Sequence, residues 1–127
     1  MNKKLFIVIR ILIAIILIQT LRFKFTAHPD SIYIFSKVGL EPFGRIGIGI
    51  LELIAAILIL IPKTIWAGAL LVVGLMAGAI FSHLTQLGID INGDNGQLFY
   101  MALGTFLLSA LILFQHRKQH PIFGKHF

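Results

Sequence analysis

Apolar residues fall into four long runs, at about residues 5–21, 46–61, 65–84 and 98–114, each bounded by charge, Pro or Gly-rich turns. In the second run the apolar residues cover every face of a helix, the pattern of a segment surrounded by other apolar material rather than by water. A helix needs about 20 apolar residues to cross a hydrocarbon core roughly 30 Å thick, so four spans and their loops nearly exhaust the 127 residues. The pattern predicts an all-α integral membrane four-helix bundle, residues 1–127 forming a single transmembrane domain. The second run, about sixteen residues, is short for a span. Either it begins in the headgroup region with Gly44 and Arg45, or the bilayer and helix ends adjust around it. Pro62-Lys63-Thr64 ends the second helix and leaves only a tight connection to the third, which predicts an antiparallel hairpin.

The first loop has its own pattern. Residues 28–39 place Pro29, Asp30 and Ser31 at a helix start and Gly39 at a stop. With Ile32, Tyr33, Ile34 and Phe35 the segment is too apolar for a free loop, so a short interfacial helix is expected there. A lid over the bundle mouth and a plain membrane anchor both fit. The N-terminus, Met-Asn-Lys-Lys before an apolar run, imitates a signal peptide. However, Arg10 interrupts the run and no small-x-small site precedes Gln19 and Thr20, so the segment reads as a retained first span.

Composition agrees with this solvent assignment: 57% of residues are hydrophobic, 13% charged, and the mean hydropathy is +0.93, against about 25% charged in ordinary soluble domains. No soluble catalytic domain fits beside four spans. With an even number of spans both termini share a side. That side carries Lys3, Lys4, Lys63, Arg117, Lys118 and Lys125, against Arg22, Lys24, Lys37 and Arg45 opposite. The third loop, residues 85–97, holds Asp90 and Asp94 and no basic residue, so both termini are expected in the cytoplasm. The net charge of +6 is then matched by anionic headgroups, and nucleic acid need not be invoked.

The absence of cysteine removes dithiol redox chemistry, covalent haem attachment and thiolate-held iron–sulfur clusters. A bis-histidine haem needs two facing imidazoles, and only His83 lies within a span. Residues 90–96 imitate the start of a calcium loop, but the glycine falls one place late and Met101 stands where a bidentate Glu is required. A turn capping the fourth helix through Asp94 or Asn95 explains them better. His116 and His120, four apart in the tail, are flanked by cations. No metal site is expected.

Glu52 is the most informative polar residue. An acidic group at a helix centre costs roughly 2.5 to 3.5 kcal/mol on insertion scales, so it should be neutral or meet a partner inside the bundle. At about 1.5 Å of rise per residue, Gln19, Glu52, His83 and Tyr100 fall in the same, outer half of four different helices. Lys24 can reach down to them and His28 lies just beyond. This convergence predicts a polar pocket open to the outer face, with Glu52 and His83 as a ligand-binding or proton-exchanging pair. A structural hydrogen bond between the second and third helices is the alternative. Arg10, nearer the opposite end, is expected to snorkel to phosphates. Gly74-Leu-Met-Ala-Gly78 matches the small-xxx-small pattern and reads as helix packing within the chain, with a homo-oligomer interface left open.

Four short spans, Arg10 in the first, the stretch Phe23-Lys-Phe-Thr-Ala-His-Pro-Asp-Ser31, the Gly-rich start and Glu52 of the second, and His83 closing the third together resemble the DoxX-like family of small bacterial membrane proteins. The resemblance spans nearly the whole chain. It implies a four-helix bundle in the bacterial inner membrane. Some relatives are the membrane subunit of a thiosulfate:quinone oxidoreductase and others are linked to oxidative-stress complexes. It therefore implies an accessory or ligand-binding subunit of a redox or stress-response assembly, with a quinone or similar lipophile in the pocket and a membrane or periplasmic redox subunit as partner. The chain has no redox centre of its own, so electron transfer would require a bound quinone or a cofactor from another subunit, and no catalytic residue is assigned. A non-catalytic scaffold acting through its Gly-rich helix faces is the other expectation.

Overall fold

The computed structural model describes residues 3–26, 28–41, 43–91 and 93–116. Among these, five α-helices and no strands are found: α1 (Lys3–Phe25), α2 (Pro29–Lys37), α3 (Phe43–Leu60), α4 (Ile65–Ser82) and α5 (Gln97–Gln115). A 3₁₀ turn, Pro62–Thr64, leads into α4, and a π turn, His83–Leu87, continues it. Four helical stretches, Lys3–Phe25, Phe43–Leu60, Pro62–Leu87 and Gln97–Gln115, are long and apolar enough to cross a membrane. The short second span is lengthened at its start: Phe43, Gly44 and Arg45 are already helical, and 18 residues reach about 27 Å.

The α3–α4 hairpin closes one end of the bundle. Pro62 and the turn after α3 leave the last carbonyls of that helix without intrahelical donors. Arg10 supplies them: its Nε donates to the Ile59 carbonyl at 2.8 Å and a terminal nitrogen to that of Leu60 at 3.0 Å. Thr64 Oγ1 donates to the Leu58 carbonyl at 2.8 Å. The expectation that Arg10 snorkels to phosphates is thus corrected. A guanidinium on the negative end of a helix dipole is held inside the chain. Above this clamp α3 and α4 touch backbone to backbone, because a Cβ on Gly68 would lie 2.5 Å from the Ile59 nitrogen. Within a bilayer, close van der Waals packing at small residues is what holds helices together. The core beside this contact is correspondingly built from Ala55, Ala56, Ile59, Ala69 and Val72, with Ile13, Leu17 and Ile112 from the flanking helices.

At the opposite end α2 lies across the bundle as a roof, touching α1, α3 and the π turn. Pro29 opens it, the His28 imidazole accepts the Asp30 N–H at 3.1 Å, and Gly39 takes φ +78° just beyond its end. Arg45 secures the roof. It is buried at the start of α3, donates from Nε to both Glu41 oxygens at 2.9 Å, and donates from a terminal nitrogen to the Lys24 carbonyl at the end of α1.

The loop before α5 is organised by its two carboxylates, as a capping turn. Asp94 accepts the N–H of Ile91 (3.0 Å), Gly96 (2.8 Å) and Leu98 (3.2 Å). Asp90 accepts those of Gly93 and Asn95. Burial pushes the Asp94 carboxyl up, but the three amide donors and the nearby His83 outweigh it and hold the group below its ordinary range. The tail positions Arg117, Lys118, His120 and Lys125 lie outside the described residues. His116 lies within them, its Nδ1 3.1 Å from the Ile112 carbonyl.

Two outcomes follow from this frame. Gly68→Ala should destabilise by about 1–3 kcal/mol through overpacking against backbone that cannot rotate away. Gly78→Ala, with open space around its Cβ, should stabilise by about 0.5–1 kcal/mol. Thermal unfolding in detergent separates the two. Asp94→Ala should cost about 0.5–2 kcal/mol at neutral pH. Because the folded carboxyl is lowered, its contribution is complete above about pH 3.9 and fades as pH falls through the folded value. Melting curves of wild type and variant should therefore converge in acid.

Candidate functional site

Between the closed end and the roof is a cavity of about 320 Å³, bordered by α1, α2, α3, α4 and α5. Its wall is largely apolar. The polar groups on it are Thr20, Lys24, Glu52, Ser82, His83 and Thr105. Thr105 and Ser82 return their hydroxyls to carbonyls four residues back in their own helices, the usual way a hydroxyl is satisfied inside a helix. That leaves Lys24, Glu52 and His83 as the groups with chemistry to offer.

Glu52 is 1% exposed. Lys24 Nζ stands 2.7 Å from its Oε1, and Thr20 Oγ1 donates to Oε2 at 2.5 Å. Three residues on one face of α3, Arg45, Gly49 and Glu52, create this meeting with α1. Gly49 admits the Phe25 ring, which would lie 2.6 Å from an added Cβ, so the end of α1 comes close enough for Lys24 to reach the carboxylate. Arg45 fixes the Lys24 backbone while the Lys24 side chain turns to Glu52. An ammonium has three N–H donors. The one directed to Glu52 is the sole polar contact of the Lys24 ammonium among the described residues, so the cavity wall presents further donors.

His83 is 5% exposed and held by the π turn. Its Nδ1 lies 2.9 Å from the Gly88 carbonyl, and its own carbonyl accepts the Gly88 N–H at 2.8 Å. Gly88 has φ +78°, a conformation that favours glycine. A ring nitrogen bonded to a carbonyl must carry the proton, which leaves Nε2 as the acceptor of the neutral imidazole. Phe99 packs edge-on against the ring, centroids 5.6 Å apart. π turns are rare and frequent at functional sites.

Of the residues singled out in the sequence, Lys24, Glu52 and His83 border this cavity. Gln19 and His28 border an adjoining one of about 240 Å³, whose wall also includes Asp30, Asp94 and Gln97 and which shares Thr20, Phe23, Leu98 and Met101 with the first. Tyr100 borders neither; it is 60% exposed, its ring against Phe99. The partner of Glu52 is Lys24 with Thr20, rather than His83. Thr20, one position from Gln19 and about 100° around the helix, is the α1 residue that touches the carboxylate. Arg45 and Phe99 were also passed over as positioning residues. The spacing Glu41-x-x-x-Arg45 signals the first as an i,i+4 ion pair; nothing in the sequence signals the second. Gly74 and Gly78 are exposed, with nothing within 4 Å of an added Cβ. The close packing expected of them within the chain is found at Gly68 instead. Among the described residues no group of three or more His, Asp or Glu side chains is arranged to hold a metal.

Four membrane-length apolar helices around a cavity with a buried ion pair define a multi-pass helical membrane protein. Residues 8–111 match the model of the DoxX-like family, so the chain belongs to that family. No curated protein and no solved structure matches it.

Removing one partner of a buried ion pair strands the other, at a cost of about 3–5 kcal/mol, whereas an apolar replacement of both is close to neutral. Lys24→Met alone should therefore destabilise strongly, and Lys24→Met with Glu52→Leu should recover most of the loss in a double-mutant cycle of thermal unfolding.

Proposed function

We propose that this protein is an accessory, ligand-binding subunit of a membrane redox or stress-response assembly, and that its cavity takes a quinone or similar lipophile by its polar end. The observation that carries the reading is the Lys24–Glu52–Thr20 cluster on an otherwise apolar wall. A cavity of this size with a few convergent polar groups is the usual form of a small-molecule site. Lys24 offers N–H donors to a carbonyl, Glu52 holds Lys24 in place, and His83 Nε2 accepts from a hydroxyl, so both the carbonyl and hydroxyl forms of a quinone head have partners. Redox chemistry is supplied by the bound molecule or by a membrane or periplasmic partner subunit. In this reading the chain sits in the bacterial inner membrane with both termini cytoplasmic, as Lys3, Lys4 and Lys63 indicate, and the roof helix faces the periplasm.

A scaffold role is favoured by one specific observation, the exposure of Gly74, Ala77 and Gly78 along α4, a surface on which a partner helix or a second copy could pack. Native mass spectrometry of protein gently extracted from its own membrane separates the two. The ligand reading expects a stoichiometric carbonyl-bearing lipophile in wild type and its loss, by about tenfold or more, in Glu52→Gln. Ligand-free protein retaining a stoichiometric protein partner in both forms would overturn it in favour of the scaffold.

A further inference from the structure

The two long helices that form the closed-end hairpin differ in how they continue toward the roof. α3 keeps burying residues as far as Arg45 at its far end. α4 does not: its buried residues are Ile65, Gly68, Ala69 and Val72, and none from Val73 to Ser82 is buried. In that upper half Gly74 and Gly78 are exposed and form part of the cavity wall. A Cβ at either would meet nothing within 4 Å. At these two positions the wall is backbone alone, a gap between the side chains of Leu75, Met76 and Ala79 that also line it.

The depth of this gap determines what lies outside it. Gly74 is at the middle of the membrane-length stretch Pro62–Leu87, and Gly78 is one turn, about 6 Å, nearer the roof. The gap therefore faces hydrocarbon and not water. On the inside, the buried His83 ring has its Nδ1 taken by Gly88 and no partner for Nε2 among the described residues. It stands about 8 Å along the axis from Gly78, on the same cavity wall as Lys24 and Glu52. The polar end of the cavity thus lies a little over one helical turn of α4 beyond the gap. A volume of about 320 Å³ is at the low end of ligand sites, enough for a compact head and too little for a long chain beside it.

We propose that Gly74 and Gly78 frame a lateral window through which the hydrocarbon tail of the bound molecule leaves the cavity for the bilayer. The ligand class is a tailed lipophile with one compact polar head: the head rests against Lys24, Glu52 and His83, and the tail passes over the two glycines into lipid. This rests on the ligand reading above and adds to it the shape of the molecule and its route.

The test compares equilibrium binding of two probes with the same dimethoxybenzoquinone head, one with a single isoprene unit and one with a decyl chain, to purified protein in lipid nanodiscs. Gly78→Leu places a side chain in the gap. Because its Cβ has free space and leucine favours helix more than glycine, the fold is expected to persist, which circular dichroism checks. Gly104→Leu, on an exposed face of α5 away from the cavity and equally open, is the control. The window predicts that Gly78→Leu weakens the decyl probe by about tenfold or more and the short probe by less than about twofold, with Gly104→Leu changing neither. Wild type binding both probes while Gly78→Leu spares both, or weakens both equally, overturns the window and leaves the ligand reading standing. Wild type binding neither probe overturns the window together with the ligand reading for a quinone head.

Discussion

A carboxylate in a medium without water is the constraint around which the upper half of this molecule is arranged. Glu52 cannot be solvated at its depth, so its charge must be met by groups that the chain itself brings to it. Lys24 and Thr20 do so from α1. For α1 to come close enough, α3 must have no side chain at Gly49, where the Phe25 ring rests. For Lys24 to stay there, the end of α1 must be held, and Arg45 holds it while its other face binds Glu41 and so the connection to the roof helix. One buried charge thus accounts for a glycine, a second ion pair and the placement of α2.

The same economy operates at the other end without any carboxylate. Helix termini inside a membrane leave carbonyls that neither water nor lipid can satisfy. α3 ends at a Pro-containing turn, and Arg10 and Thr64 complete its last carbonyls. Arg10, Lys24, Arg45 and Glu52 are accordingly used as internal hydrogen-bond donors and acceptors, in keeping with the rarity of lone charges in such segments.

The fold was largely legible because each span is a long apolar run with its own punctuation: Pro62 marks the hairpin, Pro29 and Gly39 bracket the roof helix, and Asp94 caps α5. The site was legible only in depth. Counting residues put Lys24, Glu52 and His83 at similar levels, and all three border the cavity. Depth does not determine which way a side chain turns, so it could not distinguish Gln19 from Thr20, or show that Tyr100 faces outward. Nor did it show that His83 is engaged by its own π turn instead of by Glu52. Such partnerships depend on the rotation of one helix against another, which a run that is apolar on all faces does not encode. The glycines mislead for a related reason: Gly68, Gly74 and Gly78 look alike in sequence, and only their surroundings in the fold make the first a contact and leave the others open.

The Gly68–Ile59 contact also sets how the bundle can deform. Backbone pressed on backbone has no rotamers through which to yield, and the adjacent carbonyls are pinned by Arg10 and Thr64, so this end is a fulcrum. The far end is joined by long, flexible ionic side chains and a nine-residue roof. Compliance therefore rises along the axis, and lateral pressure from the surrounding lipid acts on α4 as on the arm of a lever, with the largest displacement where the helix is least packed.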